Sequence, residues 1–227
     1  MHFANHNWMQ VEEYLENDDR LMLVIGATEQ HGYLSLLSDT TVPLMLAEAA
    51  SEVNGVLIAP PINFGCSPYF LAYPGTISLR VSTLIAVVED VIRSTYRQGF
   101  RRFLVLNGHG GNTAARVLLN ELANELPELQ TSWYAWWQTK TVEEIAAKHG
   151  LPLRHANWEE AFSFTRVVDL PDEAKPVVEI KGVFNAEQVR KLFGDGSFGG
   201  PYQVDDAIMD EIFQACLGDV LELLKFS

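Results

Sequence analysis

Leu21-Met22-Leu23-Val24-Ile25-Gly26 runs into Glu29-Gln30-His31-Gly32, and Phe103-Leu104-Val105-Leu106 runs into Asn107-Gly108-His109-Gly110-Gly111-Asn112. Both apolar runs are short, rich in strand formers and free of alternation, the pattern of strands buried on both faces of a helix-covered parallel sheet. Val56-Leu57-Ile58-Ala59-Pro60 and residues 132–137 read as further strands. Between them, residues 42–53, 81–98 and 114–126 carry apolar positions at helical spacing, with Leu84, Val87, Val88, Val91 and Ile92 forming an inward face. The repeating order of strand, loop and helix predicts an α/β fold, a three-layer α/β/α sandwich around a mostly parallel central sheet.

Downstream, residues 142–149 read as a short helix ended by Gly150, and residues 159–168 as another helix. Residues 169–204 are irregular, with Pro171, Pro176, Pro201 and Gly194-Asp195-Gly196-Ser197-Phe198-Gly199-Gly200; only 185–193 looks helical, capped by Asn185. A loop region of that length in a compact domain usually serves as a lid, a binding loop or an oligomer arm. Residues 206–224 form an amphipathic helix, and no internal repeat is present.

At 227 residues with 48% hydrophobic content, residues 1–227 are expected to form one domain with a substantial core. The 30 acidic against 16 basic residues give a net charge of −14, which repels phosphate backbones and anionic bilayers, so nucleic acid and membrane are not expected partners. No apolar stretch has the length of a bilayer span. Cys66 and Cys216 lack CxxC spacing and the first nineteen residues lack an apolar leader core, which predicts a cytoplasmic protein with reduced thiols.

In an open parallel sheet, ligands bind outside the carboxyl ends of the strands, where Glu29, His31 and His109 fall. Asp39 lies at the start of the next helix. Each residue alone has a simpler reading, Asp39 as a helix cap and His109 as an ordinary loop histidine. Two imidazoles and two carboxylates gathered on neighbouring strand ends have no packing explanation, and they are the donors a divalent cation takes. Gly108, Gly110 and Gly111 lack the Lys-Ser/Thr partner of a phosphate loop and the spacing of a dinucleotide fingerprint. Trp136, Trp137 and Trp158 are candidates to wall a flat pocket, whereas Trp133 reads as core.

On Gly26-Ala27-Thr28-Glu29-Gln30-His31-Gly32, Asp39, Pro74-Gly75-Thr76 and Asn107-Gly108-His109-Gly110-Gly111-Asn112, the chain resembles the creatininase family of metal-dependent amidohydrolases. A weaker echo lies at His155-Ala156-Asn157-Trp158-Glu159-Glu160, and the resemblance runs over residues 20–168. It implies two divalent ions per subunit, zinc, manganese or iron, hydrolysis of a small linear or cyclic amide, and assembly into homo-oligomers, hexamers among them. Carried onto this chain, it makes Glu29, Asp39 and His109 ligands of one ion, and His31, bridging Asp39 and a glutamate ligands of the other.

The creatinine-hydrolysing branch carries that glutamate two residues after the motif histidine, where this chain has Gly111; Glu160 is the substitute candidate, with Glu159 behind it. His155 matches a family histidine that protonates the leaving nitrogen, and the amides of Gly110 and Gly111 are candidates to stabilise an oxyanion. Arg154 stands where the creatinine branch has an acidic catalytic group, and the loop from His31 to Asp39 is one residue shorter than the family's. The shorter loop alters the ligand geometry expected of the family, whereas Arg154 argues against creatinine as substrate and, if it faces the pocket, favours a carboxylate-bearing one. The alternative is a family member that binds one ion without hydrolysis.

Overall fold

The structure, a computed structural model, describes residues 1–179 and 182–226. Four parallel strands, β1 (Arg20–Ile25), β2 (Leu57–Ile58), β3 (Arg102–Asn107) and β4 (Gln130–Ala135), form one sheet in the order β2-β1-β3-β4. Successive side chains of a strand point to opposite faces. Met22 and Val24 of β1, with Leu104 and Leu106 of β3, therefore pack on one side, and Leu21, Leu23, Ile25, Phe103 and Val105 on the other.

Helices α2 (Ser38–Asn54), α5 (Lys140–His149) and α7 (Asp206–Leu223) cover the first face. Helices α3 (Val81–Gln98) and α4 (Ala114–Glu125) cover the second, joined by Val11, Tyr14 and Leu15 of α1 (Trp8–Leu15). Burial of each large apolar side chain in these layers contributes about 1.5–3 kcal/mol, which explains why both strand faces had to be apolar. The three-layer expectation is met. Helix α1, held by a capping box between Asn7 and Gln10, is an element the apolar periodicity did not reveal.

Three local differences have physical causes. The fourth strand begins two residues earlier than expected and ends at Ala135, because Trp136–Gln138 turn as a 3-10 segment. The helix expected over 159–168 is absent; only Trp158–Glu160 make one 3-10 turn. The Thr165 hydroxyl donates to the carbonyls of Glu160 and Phe162, and Ser35 N–H donates to Thr165 O, so a side chain of the segment itself and one tertiary donor take carbonyls a helix would pair. Among its described residues the irregular region holds one helix, α6 (Ala186–Phe193), with Asn185 and Gln188 in a capping box. Ile180 and Lys181 of that region, and Ser227 of the expected 1–227 domain, lie outside the described residues.

In the strand order, β2 and β3 flank β1 on opposite sides, so the chain reverses direction across the sheet between β1 and β3. A crevice opens at such a point beyond the strand carboxyl ends, and the polar motifs follow β1 and β3 directly.

Candidate metal centre

The turn after β3 is built by its asparagines. Asn107 receives the His109 N–H on its side-chain oxygen at 3.2 Å and donates to the His109 carbonyl at 2.9 Å. Asn112 donates to Gly26 O at 3.0 Å and accepts from Cys66 N–H at 3.2 Å, tying the turn to the end of β1 and to the loop after β2. Helix α2 arrives so close that a side chain on Gly108 would put its Cβ 1.7 Å from Asp39 O, so glycine there is what lets Asp39 enter. After β1, Glu29 N–H donates to Leu36 O at 3.0 Å and Gln30 N–H to the Thr76 hydroxyl at 3.1 Å, which gives the Pro74-Gly75-Thr76 motif its local role.

Glu29, Asp39 and His109 converge, and so do His31, Asp39 and Glu160. His109 Nδ1 stands 3.0 Å from Asp39 Oδ2 and 3.4 Å from Glu29 Oε1; His31 Nε2 stands 2.9 Å from Asp39 Oδ1 and 3.6 Å from Glu160 Oε1. The far nitrogen of each ring faces a backbone carbonyl, His109 Nε2 at 2.9 Å from Cys66 O and His31 Nδ1 at 3.1 Å from Glu29 O. A neutral ring that donates its one N–H to that carbonyl turns a lone pair toward the carboxylates, the second contact typical of metal-ligating histidines.

Glu29, His31 and Asp39 are at most 5% exposed, and Glu29 Oε2 and Asp39 Oδ2 have no hydrogen-bond donor. Buried carboxylates facing lone pairs are costly unless cations offset them. Two imidazolium ions would supply part of that charge: burial opposes protonation of both rings, yet Asp39 and Glu160 beside His31, and Glu29 and Asp39 beside His109, push their pKa values well above the ordinary range. Protonation would give Asp39 Oδ2 a donor in His109 Nδ1 but leaves Glu29 Oε2 unpaired, whereas divalent cations fit the whole donor set. Against burial, the neighbouring imidazoles hold the Asp39 carboxyl well below its usual range.

A cavity of about 800 Å³ opens onto this cluster, lined by Glu29, Asp39 and His109 at its base. His155 lines it too, its ring stacked on Phe70 at 4.6 Å between centroids and 5.0 Å from Phe198. Burial and then the adjacent His31 push the His155 pKa down. Glu160 accepts the Ala156 N–H at 2.6 Å, which fixes the carboxylate that faces His31. Glu159 also lines the cavity; burial and then Glu160 hold its carboxyl well above the usual range.

A side chain at Gly111 would place Cβ 2.0 Å from Cys66 O, so this backbone has no room for a glutamate there. The expected aromatic wall divides. Trp137, Gly110 and Gly111 line the cavity, while Trp136 and Trp158 are buried in the core, the Trp158 indole N–H donating to Pro152 O at 2.8 Å. Trp133 packs against the α3 and α4 side, as read from the sequence. Phe70, Phe198 and Gln30 escaped the sequence reading, because nothing local marks a residue that meets His155 only through tertiary structure.

The chain matches the family described as Creatininase: Creatinine amidohydrolase over residues 4–224. It is 27% identical over 164 residues to a 3-dehydro-scyllo-inosose hydrolase of Thermotoga maritima, covering 69% of this chain and 53% of that protein. It is 34% identical over 113 residues to a creatinine amidohydrolase of Pseudomonas putida, covering 47% of this chain and 44% of that protein. The matches thus span about half the length of these relatives. A creatininase variant complexed with creatine superposes with a TM-score of 0.82 at 21% identity, covering 99% of this chain and 97% of that one. Manganese and zinc forms of creatininase superpose with TM-scores of 0.77.

Proposed function

As this chain belongs to the creatininase family, we propose that it is a metal-dependent amidohydrolase that cleaves a C–N bond of a small linear or cyclic amide. The observation that carries this reading is the pair of donor triads sharing Asp39, with buried carboxylate oxygens that no protein donor satisfies. Glu29, Asp39 and His109 would hold one ion, and His31, Asp39 and Glu160 the other. The manganese and zinc forms of the structural neighbours favour those two metals. Bound there, the ions would polarise the amide carbonyl and lower the pKa of a water at the cavity base.

The chain's own residues account for the rest. Phe70 and Phe198 pack against the His155 ring, and burial and then the adjacent His31 lower its pKa, so the ring rests neutral with one N–H. When the C–N bond breaks, the leaving nitrogen takes the electron pair and one proton, which the His155 ring N–H would give and the proton released by the attacking water would replace. Gly110 and Gly111 present their backbone at the cavity wall, where an oxyanion would develop. Arg154 lines the same cavity and forms no ion pair among the described residues, which supports a substrate carrying a carboxylate.

The homo-oligomer implied by the sequence resemblance belongs to the same reading and is checked by light scattering. So does the cytoplasmic setting, supported by two free buried cysteines. Among the described residues no helix is long and apolar enough to cross a membrane. The central test is His109→Ala with metal content read by elemental analysis and turnover read on a panel of carboxylated and neutral amides. Loss of bound metal together with turnover is expected. Two ions retained in the folded variant would remove the ligand assignment, and one ion with no turnover in the wild type would favour the binding protein over the enzyme.

A further inference from the structure

Gln30 lies between Glu29 and His31, and its side chain turns away from them toward His155. The orientation of its amide is set from two independent sides. Gly32 N–H needs an acceptor and finds Gln30 Oε1 at 3.0 Å; Gly196 C=O needs a donor and finds Gln30 Nε2 at 3.1 Å. A flipped amide would oppose donor to donor and acceptor to acceptor at once. Gly196 packs so tightly against this amide that a Cβ there would sit 1.7 Å from Gln30 Oε1, so only glycine lets its carbonyl reach Gln30 Nε2.

With the amide so fixed, Gln30 presents an N–H to His155 Nε2 at 2.9 Å. We infer that Gln30 is a positioning residue that makes His155 Nε2 an acceptor and so keeps the ring's proton on Nδ1, the nitrogen 3.9 Å from Glu29 Oε1 at the cavity base. The competing arrangement puts the proton on Nε2, donating to Gln30 O at 3.2 Å. That leaves two N–H donors facing one another at 2.9 Å, a contact the pinned amide cannot relieve. The His155 ring is held in place by Phe70 stacked on it and Phe198 packed beside it. The tautomer therefore follows from a glutamine and a glycine that never touch the cluster of carboxylates. Its catalytic meaning rests on the role of His155 proposed above; the tautomer itself does not.

The test is the imidazole nitrogen spectrum of the full chain, labelled with nitrogen-15 and loaded with zinc, with His155 assigned by the signal missing from His155→Asn. In the wild type, the inference expects a proton on Nδ1 and a lone pair on Nε2. Gln30→Glu keeps the shape but offers only acceptors, and should move the proton to Nε2, lowering kcat about 10- to 100-fold at unchanged metal content. A wild-type ring protonated on Nε2 overturns the inference without any variant, and so does a folded Gln30→Glu protein whose His155 stays in the wild-type form. If the tautomer is as inferred but His155→Asn turns over at the wild-type rate, the proton-donor reading fails and the positioning stands.

Discussion

The two ends of the same sheet handle negative charge in opposite ways. At the amino end, Asp18 accepts from Arg20 Nε at 2.9 and 3.0 Å, Asp19 pairs with Arg102, and Glu128 stands 3.7 Å from Arg101. Each of these three acids has a guanidinium partner. At the carboxyl end, Glu29, Asp39, Glu159 and Glu160 line one pocket whose sole lysine or arginine among the described residues is Arg154, which forms no ion pair with them, and three of them are buried. A fold that needed only stability would match charge at both ends, so the uncompensated end marks where something else is meant to bind.

The comparison breaks most visibly at its shared carboxylate. Asp39→Asn keeps the volume and should abolish binding of both ions, with turnover falling at least about 10³-fold, roughly 4 kcal/mol of barrier; elemental analysis and initial rates read both. Glu160→Gln sharpens it, since one ion should be lost and one kept, whereas Glu159→Gln should keep both. Next in size, His155→Asn should lower kcat by about 10²–10⁴-fold with metal content unchanged, which separates proton delivery from ion binding. Chelation should lower the thermal midpoint of the wild type and leave that of Asp39→Asn unmoved, because a cation bound only to the folded state stabilises it by mass action.

The smallest effect belongs to the compensated end. Burial raises the Asp18 pKa, but the Arg20 hydrogen bonds outweigh it and hold the carboxyl below its ordinary 3.8. The contribution of that pair is thus present above 3.8 and fades as pH falls through the lower folded value. Asp18→Asn should flatten the stability curve in that acid range, measured by urea melts, with metal content untouched.

Glu29, His31, Asp39 and His109 were legible because chain order alone puts the residues after β1 and β3 at one crevice. Glu160 came from the family resemblance, and its backbone, a single 3-10 turn, was misread as helix. The misreading has a cause: Trp158 and Phe162 sink into the core while Glu159 and Glu160 face the cavity, a division that mimics helical periodicity over so short a stretch. Trp136 and Trp158 show the converse limit, since an aromatic after a strand can fill a core or wall a pocket and nothing in its spacing decides which. Phe198 and Gln30 were invisible because their roles depend on partners far along the chain.

The bond from Gln30 to Gly196 joins residues 166 positions apart. Closing so large a loop is slow relative to local helix formation, and contacts of that span are made late on the way to the native state. The sheet and its first helices can therefore assemble well before the ring of His155 is clamped. A newly made chain would bring Glu29, Asp39 and His109 together before Glu160 and His155, which enter from the same later segment, so that one ion site is assembled before the other.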